Sequence, residues 1–165
     1  ALQEYRTPMS LECLVAGVPG LLLAPERADA EAAGVSLEPL GPRHVEGCIP
    51  LWSAEGMIHE DDTAGRAREL LRLCPGLSRV ALDGDRVVGC ALASYDGFAG
   101  QLLRVVVDPG WRDRGVGSAL VRGCVEALRA RGARWVVLGC QEHLVSWYVR
   151  LGFGTSPARC LVQAL

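Results

Sequence analysis

Val105-Val106-Val107-Asp108-Pro109-Gly110-Trp111-Arg112-Asp113-Arg114-Gly115-Val116-Gly117-Ser118 runs from an apolar strand, through a Pro-Gly turn, into a glycine-punctuated helix start. β-branched residues such as the three valines favour extended backbone. After the turn the period changes. Val116, Ala119, Leu120, Cys124, Ala127 and Leu128 form one apolar stripe at helical spacing. Gly132 stands where a left-handed C-terminal residue belongs, so the predicted helix covers 115–131. Residues 134–140 then read as an apolar strand buried on both faces. A strand at 101–107, this helix and the strand at 134–140 make one β-α-β crossover, and such a connection joins parallel strands.

Working upstream, 79–82 and 86–94 read as strands flanking the hairpin turn Asp83-Gly84-Asp85. Residues 35–40 read as a short strand ended by Gly41-Pro42. Val45, Cys48, Ile49 and Trp52 give a helix over 43–55, with Pro50 inside it. Asp61-Asp62-Thr63 offers N-cap side chains for a second helix, which Pro75-Gly76 stops after Cys74. Downstream, 142–151 reads as a helix ended by Gly152, and 160–165 as a last strand. The class is mixed α/β, with a single central, mostly antiparallel sheet containing one parallel strand pair. This pattern fills residues 34–165, one domain. Residues 1–33 read as an N-terminal extension without clear period. Their apolar run, 11–24, contains Glu12 and is interrupted by Gly17, Pro19 and Gly20, too short and broken to span a bilayer. Its flanks faintly mimic a secretory leader. The other reading is a docking element that packs on the domain or on a second copy, making a homodimer.

Composition narrows the function. The net charge is -2, which lacks the concentrated basic surface that nucleic acid needs. All 17 basic residues are Arg, so Schiff-base chemistry, which needs Lys, is excluded. The seven Cys are never closer than the 16 residues between Cys74 and Cys90, so no zinc-ligand spacing occurs and no metal is expected. Most sit in apolar runs and read as small buried hydrophobes in a reducing, cytoplasmic setting.

The turn at 112–118 suits an anion. The first N–H groups of a helix have no internal partner and carry partial positive charge. Gly115 and Gly117 let an anion approach the backbone, and Arg112 and Arg114 add charge. Ser118 follows the last glycine where a Walker loop needs Lys, and Leu120 stands where a dinucleotide fingerprint needs a third Gly. On these residues alone, a plain glycine-rich helix start and nucleotide binding stay open as alternatives.

Arg112-x-x-Gly115-x-Gly117 resembles the Gln/Arg-x-x-Gly-x-Gly/Ala motif of the GNAT acetyltransferases. Val105-Val106-Val107-Asp108-Pro109 is similar to the fourth strand of that family and its following Pro. Trp147-Tyr148-Val149-Arg150-Leu151-Gly152-Phe153 resembles its Phe-Tyr-x-x-Leu-Gly-Phe segment. The resemblance covers about residues 35–155 and implies acetyl-CoA as co-substrate, a splayed parallel strand pair and direct transfer to an amine of a small molecule or peptide. It implies that backbone amides of Arg114, Gly115, Val116, Gly117 and Ser118 hold the pyrophosphate, with Arg112 and Asp113 also among the cofactor-binding residues. Backbone groups of Val105 and Val107 would pair with the pantetheine arm, the N–H of one of them polarising the thioester carbonyl, and Val106 between them also belongs to the cofactor site. Tyr148 would protonate the leaving thiolate, its packing within a helix face being the alternative. Gln141 stands where the family often has an Asn that contacts the cofactor.

The family forms its acceptor site from the first two helices and their connection, which implies 55–62 here. Glu55, Glu60, Asp61, Asp62, His59 and Asp96 are the base candidates, with Glu60 the expected catalytic one. The run His59-Glu60-Asp61-Asp62 would attract a cationic amine; the alternatives are a solvated helix start for the run and a turn role for Asp96. A non-catalytic acyl-CoA-binding domain on the same fold is the competing function.

Overall fold

A seven-stranded mixed sheet organises the computed structural model, which describes residues 11–16, 30, 33–58 and 63–156. The elements in chain order are β1 (Leu11–Ala16), β2 (Ser36–Pro39), α1 (Val45–Ala54), α2 (Thr63–Leu73), β3 (Arg79–Asp83), β4 (Arg86–Tyr95), β5 (Gly100–Val107), α3 (Val116–Arg131), β6 (Val136–Gln141), α4 (Val145–Arg150) and β7 (Gly154–Thr155). The strand order is β2-β3-β4-β5-β6-β1-β7. Every pairing is antiparallel except β5–β6, which is parallel and connected through α3. The expected class, a mostly antiparallel sheet with one parallel pair, is the one observed.

Two apolar cores sandwich the sheet. On one face the α3 stripe, including Ala119, Leu120, Cys124 and Leu128, packs over Ala91, Ala93 and Leu102. On the other, Cys48, Leu51 and Trp52 of α1 with Ala67 and Leu71 of α2 cover Cys90, Leu92 and Val106. Strand β4 is thus buried on both sides, which explains its almost unbroken apolar run. Gly100 sits where β5 and β6 meet. A Cβ there would lie 2.6 Å from Leu128 Cδ1, so the glycine lets α3 approach the parallel pair. Cys48, Cys90, Cys124 and Cys140 are buried as small, largely apolar groups.

The boundary expected at residue 34 does not match the sheet. Leu11–Ala16, inside the supposed extension, pairs with β6 from Leu11↔Gln141 to Ala16↔Val136, and its other edge takes β7. Leu14 is 0% exposed. The strand was hidden because its six residues merge with the apolar, Gly- and Pro-broken stretch after them, and only a partner distant in sequence defines it. The helix expected over 142–151 is a 3-10 turn at Glu142–Leu144 followed by the short α4. The strand expected at 160–165 lies outside the described residues.

Candidate active site

The turn after β5 is built by side chains. Asp108 accepts from the Gly110 N–H at 2.9 Å and from Arg86 Nη2 at 2.6 Å. Arg112 then reaches backward, its Nε donating to the Val107 carbonyl at 3.1 Å while Nη2 pairs with the Glu55 carboxylate at the end of α1. Arg112 therefore ties the turn to α1, and its charge is directed to Glu55 instead of the helix start to which the sequence assigned it. Asp113 (φ 59) and Gly115 (φ 87) both take left-handed backbone and turn the chain into α3.

Helix α3 begins with no side-chain cap on Gly115, and its first internal bond runs from Ala119 N–H to the Gly115 carbonyl at 3.0 Å. The amides of Val116, Gly117 and Ser118 precede that bond and have no carbonyl within the helix to donate to. Arg114 stands beside them with its guanidinium 5.1 Å from the Trp111 ring centroid. Three helix-start amides, the helix dipole and a guanidinium make an arrangement that suits an anion. Gly117 has a different reason from the one sequence suggested. A Cβ there would meet Trp147 Cζ2 at 3.2 Å and Val107 Cγ2 at 3.6 Å, so its bare backbone packs the helix start against α4 and β5.

Beyond this turn the parallel pair opens. Strands β5 and β6 are bonded only at Gly100↔Val136 and Gln101↔Val137. Among the described residues the β6-facing edge of β5 has no strand partner from residue 102 onward, which leaves backbone groups along it for an extended ligand, apart from the Val107 carbonyl that Arg112 occupies. Strand β5 also carries a bulge. Cys90 pairs with Val106 and Leu92 with Leu103, so Ala91 alone opposes both Arg104 and Val105. The extra residue inverts the alternation: Leu102, Val105 and Val107 pack toward α3, Leu103 and Val106 toward α1 and α2. Arg104 pays for this with φ 48, a left-handed conformation costing a non-glycine residue about 1–2 kcal/mol.

Tyr148 is the buried residue of α4. Its ring makes edge contacts with Trp147 (centroids 4.6 Å apart) and Phe153 (5.7 Å). Burial, and secondarily the neighbouring Cys140 thiol, push the phenol pKa up, so the hydroxyl keeps its proton through the neutral and moderately alkaline range. Gln141 closes β6, is exposed, and makes no capping bond to the turn that follows it.

A cavity of about 480 Å³ lies on the α1/α2 side of β5. Trp52 and Met57 form its α1 end, Thr63, Arg66, Ala67 and Leu70 its α2 wall, and Leu92, Leu103 and Arg104 its floor. Sequence reasoning missed Arg104; the available signal was adjacent Leu102 and Leu103 followed by a charge within an otherwise apolar strand, a break in period two. Of the base candidates, Glu55 is ion-paired with Arg112. Asp96 accepts from the amides of Phe98 (2.8 Å) and Ala99 (2.7 Å), which hold its carboxyl below the usual range and make it a turn residue. His59, Glu60, Asp61 and Asp62 lie outside the described residues. Among the described residues no group of His, Cys, Asp or Glu could hold a metal ion, and no helix is long and apolar enough to cross a membrane.

The model of the acetyltransferase (GNAT) family matches residues 46–153. N-alpha-acetyltransferase 30 of Schizosaccharomyces pombe is 32% identical over 87 residues, 48% of this chain and 58% of that protein. Glucosamine 6-phosphate N-acetyltransferase 1 of Oryza sativa subsp. japonica is 40% identical over 75 residues, 46% of each. The chain thus spans about half the length of these curated relatives. An acetyltransferase of Sodalis glossinidius is 33% identical over 112 residues, 66% of this chain and 79% of that protein. The fold is shared with a Trypanosoma brucei acetyltransferase (TM-score 0.64, 20% identity, 79% of this chain and 99% of that one). It is also shared with a GCN5-related N-acetyltransferase from Sphaerobacter thermophilus (TM-score 0.69, 21% identity, 88% of this chain and 48% of that one).

Proposed function

The chain belongs to the GNAT acetyltransferase family, and on that premise we propose that it transfers an acetyl group from acetyl-CoA to the primary amine of a small molecule or peptide by direct attack. One observation supports the reading: the edge of β5 that β6 leaves open leads into the start of α3, where three amides precede the first intrahelical bond. That is a groove for an extended, hydrogen-bonding arm which ends at a site for its anionic head. Val105 to Val107 line the arm, and Val116, Gly117, Ser118 and Arg114 hold the pyrophosphate.

The neutral amine attacks the thioester carbon, a C–N bond forms, and the carbonyl oxygen gains negative charge that a β5 N–H stabilises. The C–S bond then breaks as Tyr148 gives its proton to the departing thiolate, and the amine gives up its extra proton to a base. Glu60, next to α2 in sequence, is the proposed base. Burial keeps the Tyr148 hydroxyl protonated at neutral pH, so a proton is present when the thiolate leaves, although the same burial makes the phenol a weaker acid. Relatives named for peptide N-termini and for glucosamine 6-phosphate make both acceptor types reasonable starting points.

A free-thiol assay over a panel of primary amines tests the proposal. Saturable thiol release, matched by an equal amount of acetylated amine, is the expected result. Acetyl-CoA that binds with no thiol release from any amine would identify a binding domain instead of an enzyme.

A further inference from the structure

One acceptor on the open edge of β5 is already taken. The Val107 carbonyl and the Asp108 N–H belong to one planar trans peptide unit, so they point in opposite directions. The Asp108 N–H donates to the Val88 carbonyl of β4 at 2.8 Å. The Val107 carbonyl therefore points away from β4, onto the edge that β6 leaves open among the described residues. There Arg112 Nε donates to it at 3.1 Å. The same guanidinium pairs through Nη2 with Glu55 at the C-terminal end of α1. Directly after Arg112 the chain turns away at Asp113, whose φ is 59.

A guanidinium makes charge-assisted bonds, about twice as strong as neutral ones, and its planar fork serves a carbonyl and a carboxylate together. A neutral amide of a ligand arm that reached Val107 would have to share the carbonyl with this cation, so pairing along the edge stops short of it. Residues 108–115 then turn the chain to the amides at the start of α3. We propose that Arg112, held by Glu55, is a positioning residue. It marks the point where the acyl-CoA arm leaves β5 for the anion site, and so fixes the register of the thioester on the strand. An arm that paired one step further would displace its thioester by roughly 7 Å, two residues of strand, beyond reach of the N–H that polarises the carbonyl. The inference rests on the N-acetyltransferase reading of the same site.

Arg112→Lys and Glu55→Ala test it, alone and together. Lys keeps the charge but offers a compact ammonium without the planar fork that holds both partners. The ion pair is partly exposed, and such pairs contribute little to stability, so the variants should melt close to the wild type. With acetyl-CoA varied at saturating amine, kcat is expected to fall at least about tenfold in either variant, with the KM for acetyl-CoA within about twofold of wild type. The double variant should fall no further than the lower single one, because both residues act on one carbonyl. Binding supplies a second readout. The carbonyl-carbon chemical shift of Val107 should stay nearly constant as CoA is titrated into the wild type, and move to saturation in Arg112→Lys, where the carbonyl is open to the arm.

A KM for acetyl-CoA that rises while kcat holds would make Arg112 a phosphate ligand and overturn the positioning role. Unchanged kinetics in both single variants, or a Val107 carbonyl that shifts as much in the wild type as in Arg112→Lys, would overturn it too. All of these leave the acetyltransferase intact. Should no amine be turned over, the acetyltransferase reading fails, and the Val107 carbonyl decides alone. A shift that is constant in the wild type and moves in Arg112→Lys sustains the positioning role, and any other pattern overturns it.

Discussion

Tyr148→Phe is expected to lower kcat by about 100- to 1,000-fold while changing the dissociation constant for acetyl-CoA by less than about twofold. The substitution keeps the ring, and therefore the edge contacts with Trp147 and Phe153, and removes only the hydroxyl. Binding and folding should survive, and the thiolate must then leave without its proton donor. The pH dependence follows from the same burial. Because the phenol pKa lies above its ordinary value, the wild-type rate should not fall as pH approaches the usual phenol range, since the acid is still protonated there. Steady-state kinetics with calorimetric binding separate the two effects. An unchanged kcat would make Tyr148 a packing residue alone.

Leu14→Asp should destabilise the fold by at least about 3 kcal/mol, because it buries a carboxylate without a partner in the middle of a sheet. Leu14 opposes Leu138 of β6 on one side and Thr155 of β7 on the other, and no relaxation brings its side chain to water without unzipping both. Leu14→Ala should cost about 2–5 kcal/mol through the cavity it leaves. Chemical denaturation reads both. Wild-type stability in Leu14→Asp would mean that β1 is dispensable to the sheet and that residues before 34 are the appendage that composition suggests.

These two residues mark what the sequence discloses and what it conceals. Tyr148 and the 112–118 turn were legible because their signals are local: a strand period giving way to a helix period, glycines at fixed offsets, and an aromatic segment ending in Leu151-Gly152-Phe153. Helix α3 and the parallel pair followed from the same local logic. Leu14 was not legible, since a six-residue strand acquires its meaning only from β6, more than a hundred residues later in the chain. The reassignment of Arg112 to Glu55, and of Gly117 to the Trp147 contact, likewise depends on partners brought together by folding. Arg104 is intermediate. The break in alternation at Leu102-Leu103 was visible, but only the register against β4 turns it into a bulge that aims a guanidinium at a cavity.

The central claim is that the open edge of β5 and the start of α3 together form the acyl-CoA site. Backbone amide chemical shifts followed during titration with CoA test it residue by residue. Saturable changes concentrated at Val116, Gly117 and Ser118 and along residues 102–107 are the predicted result. Saturable changes confined to other parts of the sheet, or no change at millimolar CoA, would contradict it.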